Sequence, residues 1–160
     1  DGPGGFARNA ARDYVLNEKT FTGYIMGFAG FELFGLPAKL NAGVRVTHTD
    51  FAAITNTLVS SPGTGDQLRP TRDTNSFTNV LPSANLVVNV TDDFLVRIAG
   101  STTMQRAGLA DLAPSTFVNE TNLTSGGGNA LLTPPISTNF DVSFEYYMGG
   151  SNLISGAVFY

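Results

Sequence analysis

Apolar and polar residues alternate with a period of two along several stretches of this chain. The clearest is Phe140–Tyr146, where Phe140, Val142, Phe144 and Tyr146 fall on one side and Asp141, Ser143 and Glu145 on the other. A period of two predicts a strand with one apolar and one wet face. Read in the same way, Thr20–Glu32 is a first strand, its alternation weakened by glycines, and Leu33–Pro37 a compact turn. Ala38–Thr49 is a second strand, with Leu40, Ala42, Val44 and Val46 opposing Lys39, Asn41, Arg45 and Thr47. A third runs about Phe77–Val90, where Leu86 and Val88 oppose Asn85, Val87 and Asn89. After Thr91-Asp92-Asp93 comes a fourth, Phe94–Met104, with Phe94, Val96 and Ile98 opposing Arg97, Ser101 and Thr103. Ser137–Met148 is the fifth, and Gly149-Gly150-Ser151 turns it into a sixth, Leu153–Tyr160.

The connections predict the architecture. Short turns at 33–37, 91–93 and 149–151 alternate with two long polar segments, Asp50–Asn75 and Gln105–Pro135. Ser60–Asp66 in the first is dense in turn residues, and the second holds Gly126-Gly127-Gly128 and Pro134-Pro135. Loops beyond about 12–15 residues are uncommon in compact soluble domains. Alternating short turns and long loops are the mark of an antiparallel transmembrane β-barrel, with short periplasmic turns and longer external loops. About six strands cannot close such a barrel, whose smallest bacterial versions have about eight. An open edge in lipid leaves unpaired backbone groups, each costing several kcal/mol. The expectation is therefore that residues 1–160 are a partial barrel domain, a fragment of a longer protein.

Composition agrees with this and excludes little else. Only 14% of the residues are charged, against roughly 25% in an ordinary soluble domain. There are twelve Phe, eighteen Gly and no Trp. A soluble β-sandwich would also accommodate these numbers. The net charge of −4 gives no electrostatic reason to expect nucleic acid. Without Cys there is no disulfide framework and no thiolate chemistry. No apolar run approaches the roughly 18 residues of a membrane helix. Asp1 begins no signal peptide, so the expectation is a removed signal or a start inside a longer protein, with Asp1–Lys19 as a polar lead-in.

Candidate chemistry is sparse, and no catalytic, cofactor-binding or metal site is expected. His48 is the sole histidine; Asp50 shares its strand face, but a pair alone does not make a zinc or iron site. Asp92 and Asp93 are adjacent and project apart, which suits a turn in which Asp bonds its own backbone, not a converging acid pair. Asp141 and Glu145 share a face and read as a polar row lining a lumen. Arg45 and Arg97 oppose apolar neighbours, so both are expected to face inward and pair with an acid on a neighbouring strand or a plug. The glycine triplet lacks the lysine of a phosphate loop. Sequons occur at Asn89, Asn119 and Asn122, and Asn89 lies at a strand end.

Several segments are similar to the barrel of TonB-dependent receptors, in the branch abundant in sphingomonads and caulobacters. They are Glu18–Tyr24, Leu40–Val46, Val80–Leu86, Thr91–Asp93, Arg97–Met104, Ser137–Asp141 and Ser155–Tyr160. Arg106-Ala107-Gly108-Leu109 resembles the family's Arg-Pro-x-Leu stretch, with Ala107 in place of Pro. Gly128–Pro134 resembles a Gly-Asn-Pro-x-Leu-x-Pro stretch, with Ala130 in place of Pro. The resemblance implies the later part of a roughly 22-stranded barrel around a plug. The plug and its TonB-contacting segment have no counterpart here.

The resemblance further implies a non-enzymatic receptor of the bacterial outer membrane. Its partners would be outer-membrane lipid, a small-molecule nutrient such as a siderophore or carbohydrate, and a TonB-type energising complex acting through the plug. Two alternatives stand beside it: a small passive pore or structural barrel, and a secreted soluble β-sandwich that binds a ligand. Recognition is expected on the long loops, since loops on rigid frames usually carry it.

Overall fold

The computed structural model describes residues 14–112, 117–149 and 152–160. Most of the polar lead-in, together with Gly150 and Ser151 of the last expected turn, lies outside the described residues. The elements run β1 (Tyr14–Leu33), β2 (Leu36–Ser61), β3 (Gly65–Asn89), β4 (Phe94–Met104), α1 (Leu109–Leu112), β5 (Phe117–Asn119), β6 (Thr124–Gly126), β7 (Ile136–Tyr147) and β8 (Leu153–Phe159). They form one sheet in the order β6-β5-β2-β3-β4-β7-β8, with β1 also paired to β2. The described residues thus hold six strands of seven residues or more and two of three residues. The short pair, β5 and β6, lies inside what the sequence shows as a loop.

One expectation is overturned. Asp50–Asn75 is not a long loop: β2 continues to Ser61, β3 starts at Gly65, and only Pro62-Gly63-Thr64 turns the chain. The residues explain the change. Phe51, Ala53, Thr55 and Val59 are buried at alternate positions of β2, while their neighbours are partly or fully exposed. Threonine looks polar in a hydropathy pattern, yet its β-branched side chain favours strands. Across the two strands the Thr57 and Thr71 hydroxyls hydrogen-bond at 3.0 Å. The first strand is likewise longer than expected and begins at Tyr14.

The chain divides into two compact units. One contains Phe21–Thr47, Thr78–Gln105 and Pro135–Tyr160. Here the ladders line up side chains of one kind. Leu86, Ile98, Val142 and Val158 are neighbours across β3, β4, β7 and β8, as are Val88, Val96, Phe144 and Gly156. The other parity places Asn85, Ala99, Asp141 and Phe159 in one row and Asn89, Leu95, Glu145 and Ser155 in another. Phe94 packs its ring near Phe144 and Tyr146, with centroids 6.5 and 6.4 Å away, on the apolar side. A Cβ on Gly156 would lie 2.6 Å from the Phe144 ring, so the ring occupies the space that the glycine leaves. Phe34 (φ 53) and Gly35 (φ 80) form a two-residue turn with both residues left-handed, the geometry that matches the twist of a hairpin.

The other unit contains His48–Phe77, Arg106–Pro134 and the described part of Asp1–Thr20. It has a small hydrophobic core of Phe51, Ala53, Leu112 and Ala130, with Leu16 and Ala107 packed against it. The strands supply Leu16, Phe51 and Ala53; the segment after β4 supplies the rest.

Candidate functional site

The described residues of the segment between β4 and β7 are docked against the strands. Its first residues lie against β1: the Arg106 guanidinium is 2.7 Å from the Glu18 carboxylate and also donates to the Thr20 hydroxyl at 3.3 Å. The four-residue helix α1 follows, and Leu112 enters the core beside Phe51 and Ala53. The β5–β6 hairpin then adds to the end of β2, with Leu58, Val59 and Ser60 paired in parallel to Phe117, Val118 and Asn119. Its turn is held by Asn119, whose Oδ1 accepts from the backbone of Thr121 at 3.0 Å and Asn122 at 2.9 Å. The Ser61 hydroxyl donates to the Glu120 carboxylate. On the return, the Asn129 amide donates to the Asp111 carbonyl at 2.7 Å, and Asn129 Oδ1 accepts from the Leu131 amide at 2.9 Å. The Asn75 amide reaches the Leu132 carbonyl at 3.5 Å. Every hold is a hydrogen bond, an ion pair or apolar contact, the chemistry of a scaffold that presents polar groups.

Ala107 and Ala130 come together in this core, Ala130 with 2% of its surface exposed. Both stand where the resembling stretches carry proline. That both join one core is invisible in the sequence, since 22 residues lie between them.

The other singled-out residues fall as follows. His48 Nε2 and Asp50 Oδ1 are 3.4 Å apart on their shared strand face. Among the described residues no cluster of three or more His, Asp or Glu forms around them or elsewhere. Arg97 does find an acid on a neighbouring strand, at 3.5 Å from Glu145. The Tyr147 hydroxyl donates to the other Glu145 oxygen at 2.7 Å. Asp141 lies two rungs from Glu145, beside Ala99 and Phe159. Arg45 is exposed. The turn before β4 corrects the expectation for Asp92 and Asp93. Thr91, not an aspartate, supplies the side-chain acceptor, taking the amides of Asp93 at 3.3 Å and Phe94 at 3.0 Å. Serine and threonine hydroxyls make this kind of turn as Asp does.

The model of the TonB-dependent receptor-like β-barrel family matches residues 1–160, the whole chain. The chain belongs to the TonB-dependent receptor β-barrel family. The family is one of outer-membrane receptors and transporters. Among solved structures the chain is similar to the ferric-catecholate import receptor Fiu of Escherichia coli K12, with 16% identity and a TM-score of 0.57 over 90% of this chain. It spans 21% of the length of that receptor. The ferric enterobactin receptor PfeA of Pseudomonas aeruginosa is similar over 90% of the chain and 27% of its own, with 15% identity and a TM-score of 0.46. The siderophore receptor PirA of Acinetobacter baumannii is similar over 85% and 25%, with 14% identity and a TM-score of 0.40. No curated protein matches the chain. Barrels of such receptors alternate lipid-facing and lumen-facing side chains along each strand; here Leu86, Ile98, Val142 and Val158 share one parity of the ladder, and Arg97 and Glu145 fall on the other.

Proposed function

We propose that this chain is the later part of the barrel of a longer outer-membrane receptor, which imports a scarce nutrient with energy supplied through TonB. The nutrient is a small polar molecule of the siderophore or carbohydrate class. The plug that would contact TonB has no counterpart among these residues. The strand walls provide the frame, and the segment after β4 and the β2–β3 turn provide ligand contacts.

The observation that carries this reading is the docking of residues 105–135 onto β1 and β2 through a dedicated core and the Arg106–Glu18 ion pair. A passive spacer has no need of a core, whereas a recognition loop gains affinity when its ordering is done in advance. The test trims Glu120–Leu123 and, separately, Ser61–Asp66 in the full-length receptor. Nutrient uptake by cells should fall for each deletion, while heat-modifiable migration shows the barrel still assembled. Undiminished uptake after both trims would remove the loops from recognition.

A further inference from the structure

Among the described residues two other than glycine are held in the left-handed region, Phe34 (φ 53) and Leu123 (φ 52). This conformation strains most L side chains, and Gly, Asn and Asp adopt it most readily. Phe34 precedes Gly35 in the short β1–β2 turn, and aromatic residues near strand ends form the interfacial girdles of membrane barrels. Leu123 has no such account. It lies in the turn between β5 and β6 and exposes 90% of its surface. A leucine this exposed gains nothing from burial, and an asparagine would hold the same backbone with less strain. Neither local preference nor packing selects leucine at this position.

The hairpin beneath it is held from several directions within one compact unit. β5 pairs with β6 from Phe117–Gly126 to Asn119–Thr124, and with β2 at Leu58, Val59 and Ser60. Asn119 Oδ1 takes the amides of Thr121 and Asn122, and the Glu120 amide donates to the Ser60 carbonyl at 2.9 Å. Backbone strain persists only where the surroundings over-determine it, and it gathers at ligand clamps. These bonds are such surroundings. They present an apolar side chain to solvent on a backbone already ordered, which lowers the cost of binding something there.

Charge narrows what that can be. From Phe117 to Gly126 the only charged residue is Glu120, and its carboxylate accepts from the Ser61 hydroxyl. Thr121, Asn122, Thr124 and Ser125 are all exposed around Leu123 and offer hydroxyl and amide groups. No cation stands in this hairpin to draw in an anion. The surface fits an uncharged molecule that carries hydrocarbon beside its polar groups.

We propose that Leu123 is a specificity-determining contact of the receptor, set to meet a hydrocarbon surface on an uncharged nutrient. The inference rests on the reading of residues 105–135 as the recognition segment and narrows its ligand class. Two kinds of molecule share this chemistry. One is a ferric tris-hydroxamate, in which monoanionic groups neutralise the iron inside a hydrocarbon frame. The other is a sugar bearing an alkyl chain. A ferric tris-catecholate keeps a large negative charge and a plain sugar has no hydrocarbon, so both fall outside the proposal.

The experiment titrates the full-length receptor in nanodiscs with a neutral ferric tris-hydroxamate of linear hydrocarbon backbone, hexyl glucoside, glucose and a ferric tris-catecholate. Wild type should bind the tris-hydroxamate or hexyl glucoside, and more tightly than glucose or the catecholate. Leu123→Met keeps the apolar surface and should stay within about twofold of wild type. Leu123→Asn should weaken binding about tenfold, roughly half of what complete burial of a leucine is worth. Limited proteolysis separates contact from support. Asparagine relieves the backbone, so residues 117–126 should be cut no faster than in wild type. Weaker binding together with faster cutting makes Leu123 a structural residue and overturns the proposal. So do equal affinities of wild type and Leu123→Asn, tightest binding of the catecholate, or binding of neither neutral apolar probe. Cellular uptake of the bound probe is recorded for Leu123→Asn and for the Glu120–Leu123 deletion. Loss in the deletion alone removes Leu123 from recognition, whereas loss in neither removes the segment itself.

Discussion

The two units of this chain use the same strands in opposite ways. In the unit built on Phe21–Thr47, large hydrophobics are displayed: Ile25 is 72% and Val158 76% exposed. In the unit built on His48–Phe77, Phe51, Ala53, Leu112 and Ala130 are packed inward, and Ala53 has no exposed surface at all. The difference teaches where each unit finds its stability. The second makes its own core from three segments of chain, as a water-soluble domain does. The first leaves its large apolar side chains exposed, and on the proposed function acyl chains match them. Strand length supports the division. β2 has 26 residues, which at about 3.3 Å each is roughly 85 Å, while the apolar band of such barrels is about 25 Å tall.

The bluntest way to break this comparison is all-or-none. If β2 and β3 extend outward, a cysteine at Thr64, in the β2–β3 turn, is labelled on whole cells by an impermeant reagent, and one at Asp92 is not. Thr64 is preferred to Gly63, whose φ of 90° suits only glycine well. The reverse labelling pattern would invert the barrel.

Next in size is the lipid face. Leu86→Arg should cost about 2–4 kcal/mol near the midplane, and Asn85→Arg much less, because the two side chains project to opposite faces. Refolding titrations of the complete barrel in lipid give both values. Equal costs would mean that the rows drawn through Leu86 and Asn85 do not separate lipid from interior.

The docked core answers to a different probe. Leu112→Ala should cost about 2 kcal/mol, at the low end for a buried leucine because only one unit feels it. Limited proteolysis should then cut between residues 105 and 135 faster, while barrel refolding is unchanged. A drop in refolding stability equal to the loss in the loop would mean that the units do not respond separately.

Smaller again is Gly156→Val. Its side chain meets the Phe144 ring, which is free to swing toward lipid, so the expected cost is about 1 kcal/mol in the same refolding titration. The smallest effect belongs to Glu145→Gln. Its partner Arg97 has 40% of its side chain exposed, so the pair contributes about 0.5 kcal/mol and the difference should fade at high salt. A salt-independent loss above that would indicate a drier interior than the two rows suggest.

The strands β4, β7 and β8 were legible in the sequence to within a residue or so of their ends, because each is short, alternates cleanly and is bounded by Asp, Gly or Pro. The upper halves of β2 and β3 were not. Their alternation is carried in part by Thr55, Thr57 and Thr71, whose polar hydroxyls disguise strand positions, and the turn residues of Ser60–Asp66 drew the whole region into a loop. The short turns before β2 and β4 were visible, though not that Thr91 would supply the hydrogen bonds of the second.

The sequence by itself determined the class of fold and which residues share a face, because a period of two is a local property that survives without knowledge of partners. It also carried the family, through the order and spacing of weak motifs. Only the tertiary structure decided what touches what across distance: Arg97 with Glu145, Arg106 with Glu18, and Ala107 and Ala130 against Phe51. These contacts depend on register and on how a long loop returns to the sheet. Both are set by the summed packing of segments far apart in the chain, and no local pattern encodes that sum.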